Sequence, residues 1–418
     1  MHRRHRVALL GALVGSALAL SGLPAGAATG GLAPSAVTGA TTLTPSATPP
    51  GAVPAQYQAL YDEIGEQVQG FAASVGPVRA HPATTFGVEL LAANGNIGSG
   101  LLAAKALAGV EEELDAFRAL GVRGVTVDVS FPLLVPSTPD SAAYLAFYER
   151  VAAQIHKRGM VFSVEENPVF AGTPLTTLAV SYAGLTLASY AAEQRQQAQL
   201  IINDLRPAYL SVLTEPDTYT SVLGITLDTP ATATEVVHDE LHGLARHHTM
   251  VGAGAGNWSN PAIDGALVAH TSIDYLDVHV FPFAARDLAN LATDVAAAKR
   301  SHLPLVMDET WLNKPIPGAP SGVAGAPGAL QEKSYSFWEP LDEEYVAAMV
   351  SYARSEGFAY VSFFDGARAF FGYLTWSPEL QAAGYRSFSA QYNQLVAESM
   401  RTLTVSGTGL ALHRALSG

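Results

Sequence analysis

Eight short apolar runs, separated by longer stretches with apolar residues at every third or fourth position, organise the chain from residue 84 to 399. The runs are 84–92 (TTFGVELLA), 124–131 (GVTVDVSF), 160–167 (MVFSVEEN), 209–216 (YLSVLTEP), 250–258 (MVGAGAGNW), 273–281 (IDYLDVHVF), 304–311 (PLVMDETW) and 359–366 (AYVSFFDG). A strand buried on both faces of a parallel sheet reads as such a continuous run. The intervening periodicity predicts helices at 110–121, 142–159, 191–205, 235–248, 285–302, 343–357 and 378–399. Gly121, Gly159 and Gly357 end three of them, where a left-handed residue terminates a helix. Strand and helix alternating in this way predict a single (β/α)8 barrel. The alternative is a doubly wound open sheet, which carries a G-x-G-x-x-G loop after its first strand. The glycines of 89–100 (ELLAANGNIGSG) do not have that spacing.

The N-terminus has a different character. A basic stretch (His2 to Arg6), an apolar stretch of small residues and leucines (Val7 to Leu20) and Ala25-Gly26-Ala27 together predict a secretory signal peptide over 1–27 and export of the protein. Residues 28–54, rich in Ala, Thr, Ser and Pro, are expected to be a flexible linker, leaving 55–418 as the barrel domain. Within it, 54–83 predicts an extra helix that plugs or flanks the barrel bottom. The Gly- and Pro-rich segment 313–341 is too long for an ordinary connection and is expected to wall the site.

Net charge is −14, and loss of Arg3, Arg4 and Arg6 takes it to about −17. That surface disfavours nucleic acid and anionic membranes as partners and fits a neutral substrate and a monomer. With no cysteine, stability must come from core burial, which a domain of this size can supply.

Polar residues at the carboxyl ends of barrel strands are the candidates for chemistry. In chain order these are Glu89, Asp128, Glu165 with Glu166 and Asn167, Glu215, Asn257 with Trp258, Asp277 with His279, Glu309 with Trp311, and Asp365. An acidic rim with indole rings suits carbohydrate, whose ring faces stack on aromatics and whose hydroxyls bond carboxylates and amides. Glycosidic cleavage needs one protonated carboxyl for the leaving oxygen and one ionised carboxylate for the anomeric carbon or a water. Glu215 and Glu309, at the ends of the fourth and seventh strands, face each other across such a barrel and form the expected pair. Glu89, Asp128, Glu165, Asn257, Trp258, His279, Trp311 and Asp365 are the expected substrate contacts. Trp311 is expected to be a sugar platform on the same face as Glu309, and Asp308, by strand alternation, to point away into an ion pair. His242, His247 and His248 are expected to face solvent.

On these residues the chain resembles glycoside hydrolase clan A, the "4/7" retaining glycosidases. The resemblance implies a general acid/base at Glu215 of Thr214-Glu215-Pro216, a nucleophile at Glu309 of Asp308-Glu309-Thr310-Trp311, and His279 as the strand-six histidine. The sequence departs from the clan at Thr214, where an Asn is usual, at Phe281, where a Tyr is common, and at Phe363 or Phe364, in place of the strand-eight Trp. The implied activity is a retaining glycosidase for a neutral, β-linked glycan, with no cofactor. Two other readings stay open. A metal-dependent barrel hydrolase or isomerase would use Glu165, Glu215, His279, Glu309 and Asp365 as ligands, although no compact ligand motif such as H-x-H is present. A non-catalytic glycan-binding barrel is the other.

Overall fold

All eight apolar runs form strands: β1 (Thr85–Glu89), β2 (Gly124–Asp128), β3 (Val161–Glu165), β4 (Tyr209–Ser211), β5 (Met250–Gly256), β6 (Tyr275–His279), β7 (Leu305–Thr310) and β8 (Tyr360–Phe363). They pair in parallel and in chain order, and β1 closes on β8, giving a barrel ringed by helices. The computed structural model describes residues 42–47, 49–76, 84–173, 175–281, 285–314, 333–364 and 366–417. The expected signal peptide, most of the wall segment 313–341 and Asp365 lie outside the described residues.

The barrel interior is built in tiers, because every second residue of a strand points inward. At the bottom, Tyr275, Val306 and Tyr360 pack with Val161, Tyr209 and Met250. Those tyrosines need space, and glycines on neighbouring strands supply it. A Cβ at Gly252 would lie 2.2 Å from the Tyr275 ring, and one at Gly87 would lie 2.2 Å from the Tyr360 hydroxyl. Gly252→Ala is therefore expected to destabilise the protein by about 1–3 kcal/mol through overpacking. An unchanged urea midpoint would contradict this packing.

Above the tyrosines comes a polar tier centred on Asp308. Ser163 and Ser211 each donate to it at 2.7 Å, and Thr126 approaches it at 3.4 Å. The Tyr275 hydroxyl meets Ser211 and the Tyr360 hydroxyl meets Thr126, so the bottom tier is bonded to the middle one. The expectation that Asp308 points away into an ion pair is thus corrected. The pairing of β7 with β8 slips between Met307 and Thr310, where two residues of β7 oppose one of β8. Such a bulge breaks the alternation and lets consecutive Asp308 and Glu309 both reach the interior.

The helix Gln58–Ser74 flanks the barrel: it lies against the helix Glu339–Glu356, with Phe71 beside Tyr345 and Tyr352 and Tyr61 stacked on Trp338. Three further expectations change. The expected flexible linker is attached to the domain at its end. Thr44–Pro45 pairs in parallel with Thr404–Val405, and Gly51 N–H donates to Ser336 Oγ at 3.1 Å. The expected helix 378–399 divides into Pro378–Ala382 and Tyr385–Thr402 around Gly384 (φ +76°). The expected helix 235–248 ends at Leu241, leaving His242, His247 and His248 exposed beyond it.

Candidate active site

The carboxyl ends of the strands deliver a ring of acids around one imidazole. His279, at the end of β6, is fully buried. Its Nδ1 lies 3.1 Å from Glu215 Oε1 and 3.8 Å from Glu309 Oε2, while its Nε2 lies 3.6 Å from Glu165 Oε2 and 3.7 Å from Asp277 Oδ2. Sharing one nitrogen, the nearest oxygens of Glu215 and Glu309 are at most about 7 Å apart. A gap of about 5–5.5 Å serves a retaining glycosidase and roughly 6.5–9.5 Å an inverting one, so this bound spans the first range and touches only the edge of the second.

Local folding explains how Glu215 is held. The strand β4 stops at Ser211, and Pro216 opens the helix Pro216–Leu223, which leaves Glu215 as that helix's N-cap residue. One turn on, Thr218 Oγ1 donates to Glu215 Oε2 at 2.7 Å, so both carboxyl oxygens have partners. Glu309 is held by the β7 bulge, and its Oε2 has no hydrogen-bond partner. Glu165 has one: Asn167 Nδ2 donates to its Oε2 at 2.9 Å, leaving Oε1 unpartnered. Its neighbour Glu166 is also buried, but faces the outer helices near Gln194 and Glu240.

The electrostatics follow from putting these groups out of water. Burial, reinforced by the charge of Glu165, pushes the Glu309 carboxyl well above the usual range, with His279 opposing. Glu165 is pushed up by burial in the same way. For His279 burial works against the proton, but the surrounding carboxylates, Glu165 foremost, outweigh it and hold its pKa well above the ordinary imidazole value. Burial raises Asp128 to about 7 and Asp308 to about 8. The imidazole and the carboxyls thus shift together, each responding to the charge of the others.

The other expected contacts divide. Glu89 accepts from Asn94 Nδ2 at 2.9 Å, and Asp128 from Ser130 Oγ at 3.0 Å; both are buried at the rim. Asn257 serves as a strut: its Nδ2 donates to the Asp287 carbonyl and its Oδ1 accepts from Phe281 N–H, so its amide ties the end of β6 to the helix Ala285–Arg300. Trp258 is half-buried; its ring lies over Gly256 and its Nε1 donates to Asp217 at 2.9 Å. Trp311 is not an open platform. It is buried, with Phe363 and Phe370 edge-on to its ring and the Lys314 ammonium 5.6 Å from the ring centre. Trp338 is buried packing, as Tyr61 and Phe337 against it show. Glu215 is 0% and Glu309 1% exposed.

Sequence reading missed Thr218 and Asp217, whose only signal was their position in the first turn after Glu215. It also missed the buried ion pair of Lys314 and Asp342, which Tyr373 supports at 2.8 Å. Glu165, His279 and Glu309 each present a donor atom, all within 4.8 Å of one another, a set able to hold a divalent cation.

The chain is thus a parallel barrel with Glu215 following its fourth strand and Glu309 near the end of its seventh. Among solved structures, the chain is similar to a GH5_18 protein from Bifidobacterium longum subsp. longum, a Glu-to-Ala variant in complex with Manβ1-4GlcNAc. The TM-score is 0.51 at 12% identity, over 80% of this chain and 78% of that one. A GH5_18 variant from Streptomyces cattleya with the same ligand aligns with a TM-score of 0.49 at 13% identity, over 80% of each chain. A β-glucosidase from Thermotoga maritima gives 0.43 at 11% identity, over 67% of this chain and 87% of that one. No protein-family model matches the sequence, and no curated protein does. What the first of these likenesses establishes is the shared fold.

Proposed function

We propose that the protein is a secreted, retaining glycosidase that cleaves a neutral, β-linked glycan. The observation that carries this reading is the convergence of Glu215 and Glu309 on one face of His279, from opposite sides of the barrel mouth. Glu215 protonates the leaving oxygen while Glu309 attacks the anomeric carbon. Glu215 then takes a proton from the water that hydrolyses the glycosyl-enzyme. Thr218 and His279 hold the two oxygens of Glu215 and so fix the orientation of its carboxyl. Thr218→Val is accordingly expected to lower kcat about 10-fold with little change in KM, since it disturbs a contact to the acid and not to the sugar. An unchanged kcat would remove Thr218 from the mechanism. Clan resemblance and the shared barrel support the reaction class; the leader pattern at the N-terminus supports export.

Turnover of a panel of 4-nitrophenyl β-glycosides tests the reading directly, and no release from any of them would argue against it. A second reading, a metal-dependent hydrolase, draws support from the unpartnered atoms of Glu165, His279 and Glu309. It predicts loss of the same turnover on chelation, whereas the glycosidase is indifferent to chelator.

A further inference from the structure

The glycosidase reaction uses two carboxylates, yet the mouth buries more. Glu165 and Asp277 complete the ring around His279, and Asp128 stands beside Glu165 in direct register on the neighbouring strand. A buried carboxyl is costly unless a positive charge or several donors meet it. Glu165 has one donor, Asn167, and its Oε1 is buried without a partner, as is Glu309 Oε2. Both belong to residues whose donor atoms come within 4.8 Å of each other. Among the described residues the cation touching Glu165 and Glu309 is His279. Lys333 lies 5.8 Å from the ring centres of Phe281 and Phe364. A sugar hydroxyl brings one donor hydrogen and no charge; an ammonium brings three donors and a second positive charge to a corner where four acids surround the one imidazole of His279.

The position of that corner says which sugar atom would occupy it. With Glu309 as nucleophile, a reading on which this inference rests, the anomeric carbon lies over Glu309 and the C2 substituent falls beside it. We infer that the space between Glu165 and Glu309 receives the C2 ammonium of a 2-amino-2-deoxy sugar, making the substrate a glycoside with a free amine at C2. Glu165 is then the specificity-determining residue: its Oε1 accepts from the ammonium while Asn167 fixes its other oxygen. The low-dielectric surroundings strengthen that pair, and a burial that is costly in the free protein becomes favourable in the complex. A 2-acetamido sugar is neutral at C2 and bulkier, and a 2-hydroxy sugar adds no charge to offset the acids that outnumber His279. This inference replaces the neutral substrate expected from the overall charge with one that is cationic at C2.

Three matched 4-nitrophenyl β-glycosides, differing only in amine, hydroxyl or acetamide at C2, test this with the full-length wild type and Glu165→Gln. The wild type is expected to prefer the amine over the hydroxyl by roughly 100-fold in kcat/KM, and Glu165→Gln to shrink that ratio below about 10-fold. Calorimetric binding of free glucosamine against glucose to the wild type needs neither turnover nor a variant, and is expected to favour glucosamine by a similar factor. If the hydroxyl or acetamide substrate is preferred, or if Glu165→Gln leaves the ratio unchanged, the inference fails while the glycosidase reading stands. If no substrate turns over, the glycosidase reading fails and the inferred substrate fails with it, even where glucosamine still binds selectively. If EDTA abolishes turnover of all three substrates and ZnCl2 restores it, the corner belongs to a divalent cation and the inference is overturned.

Discussion

Glu309→Gln is expected to lower kcat at least about 10⁴-fold on any substrate the protein turns over, because it removes the group that forms the glycosyl-enzyme. The thermal midpoint should stay level or rise. Burial already makes ionisation of Glu309 costly in the free protein, so an isosteric neutral group relieves strain at the expense of activity. Glu215→Gln should behave differently. Without a proton donor, turnover of glycosides with poor leaving groups should collapse, while those with strongly acidic leaving groups, which depart without help, lose far less. Steady-state rates over a leaving-group series separate the two variants. If Glu165→Gln, and not Glu215→Gln, shows the leaving-group dependence, the acid has been misassigned, since Glu165 also lies close to Glu309.

The second large effect concerns Asp308. Its pKa is raised to about 8, mainly by burial, whereas an unfolded Asp titrates near 4. Between these values the folded state holds a proton that the unfolded state has released. The contribution is therefore fully present below about pH 4 and is lost as pH rises to about 8, with a slope of about 1.4 kcal/mol per pH unit for a single such group. Asp128 and Glu113, both raised to about 7 by burial, act in the same direction. The thermal midpoint is thus expected to be several degrees higher at pH 5 than at pH 8; a maximum at or above pH 8 would contradict the buried network. Asp308→Asn, which keeps the shape and can bond Ser163 and Ser211, should be nearly neutral at pH 5 and stabilising at pH 8. Asp308→Leu, which leaves those hydroxyls without their partner, should cost about 3–5 kcal/mol at either pH.

How much of this was legible depended on which residues carried the signal. Strands buried on both faces leave continuous apolar runs, so all eight were readable, and carboxylates terminating such runs were conspicuous: Glu165, Glu215 and Glu309 could be placed on one rim. Register was not readable. The slip between β7 and β8 changes no residue type, yet it turns Asp308 inward. The fates of Asn257 and Trp311 were hidden for a related reason. Whether an amide meets a sugar or the Phe281 and Asp287 backbone, and whether an indole meets a sugar or Phe370, is decided by residues from distant parts of the chain. Attachment of the N-terminal segment through Thr44 and Thr404 was equally invisible, since two residues of backbone pairing leave no hydrophobic pattern.

The pairing of Glu215 with Glu309 is tested most directly by the configuration of the first sugar released, followed by proton NMR from the start of hydrolysis of a β-glycoside. Two displacements at one carbon, by Glu309 and then by water, predict that the β anomer appears first and the α anomer only later, by mutarotation. Initial release of the α anomer would mean a single displacement by water, and Glu309 would not be the nucleophile.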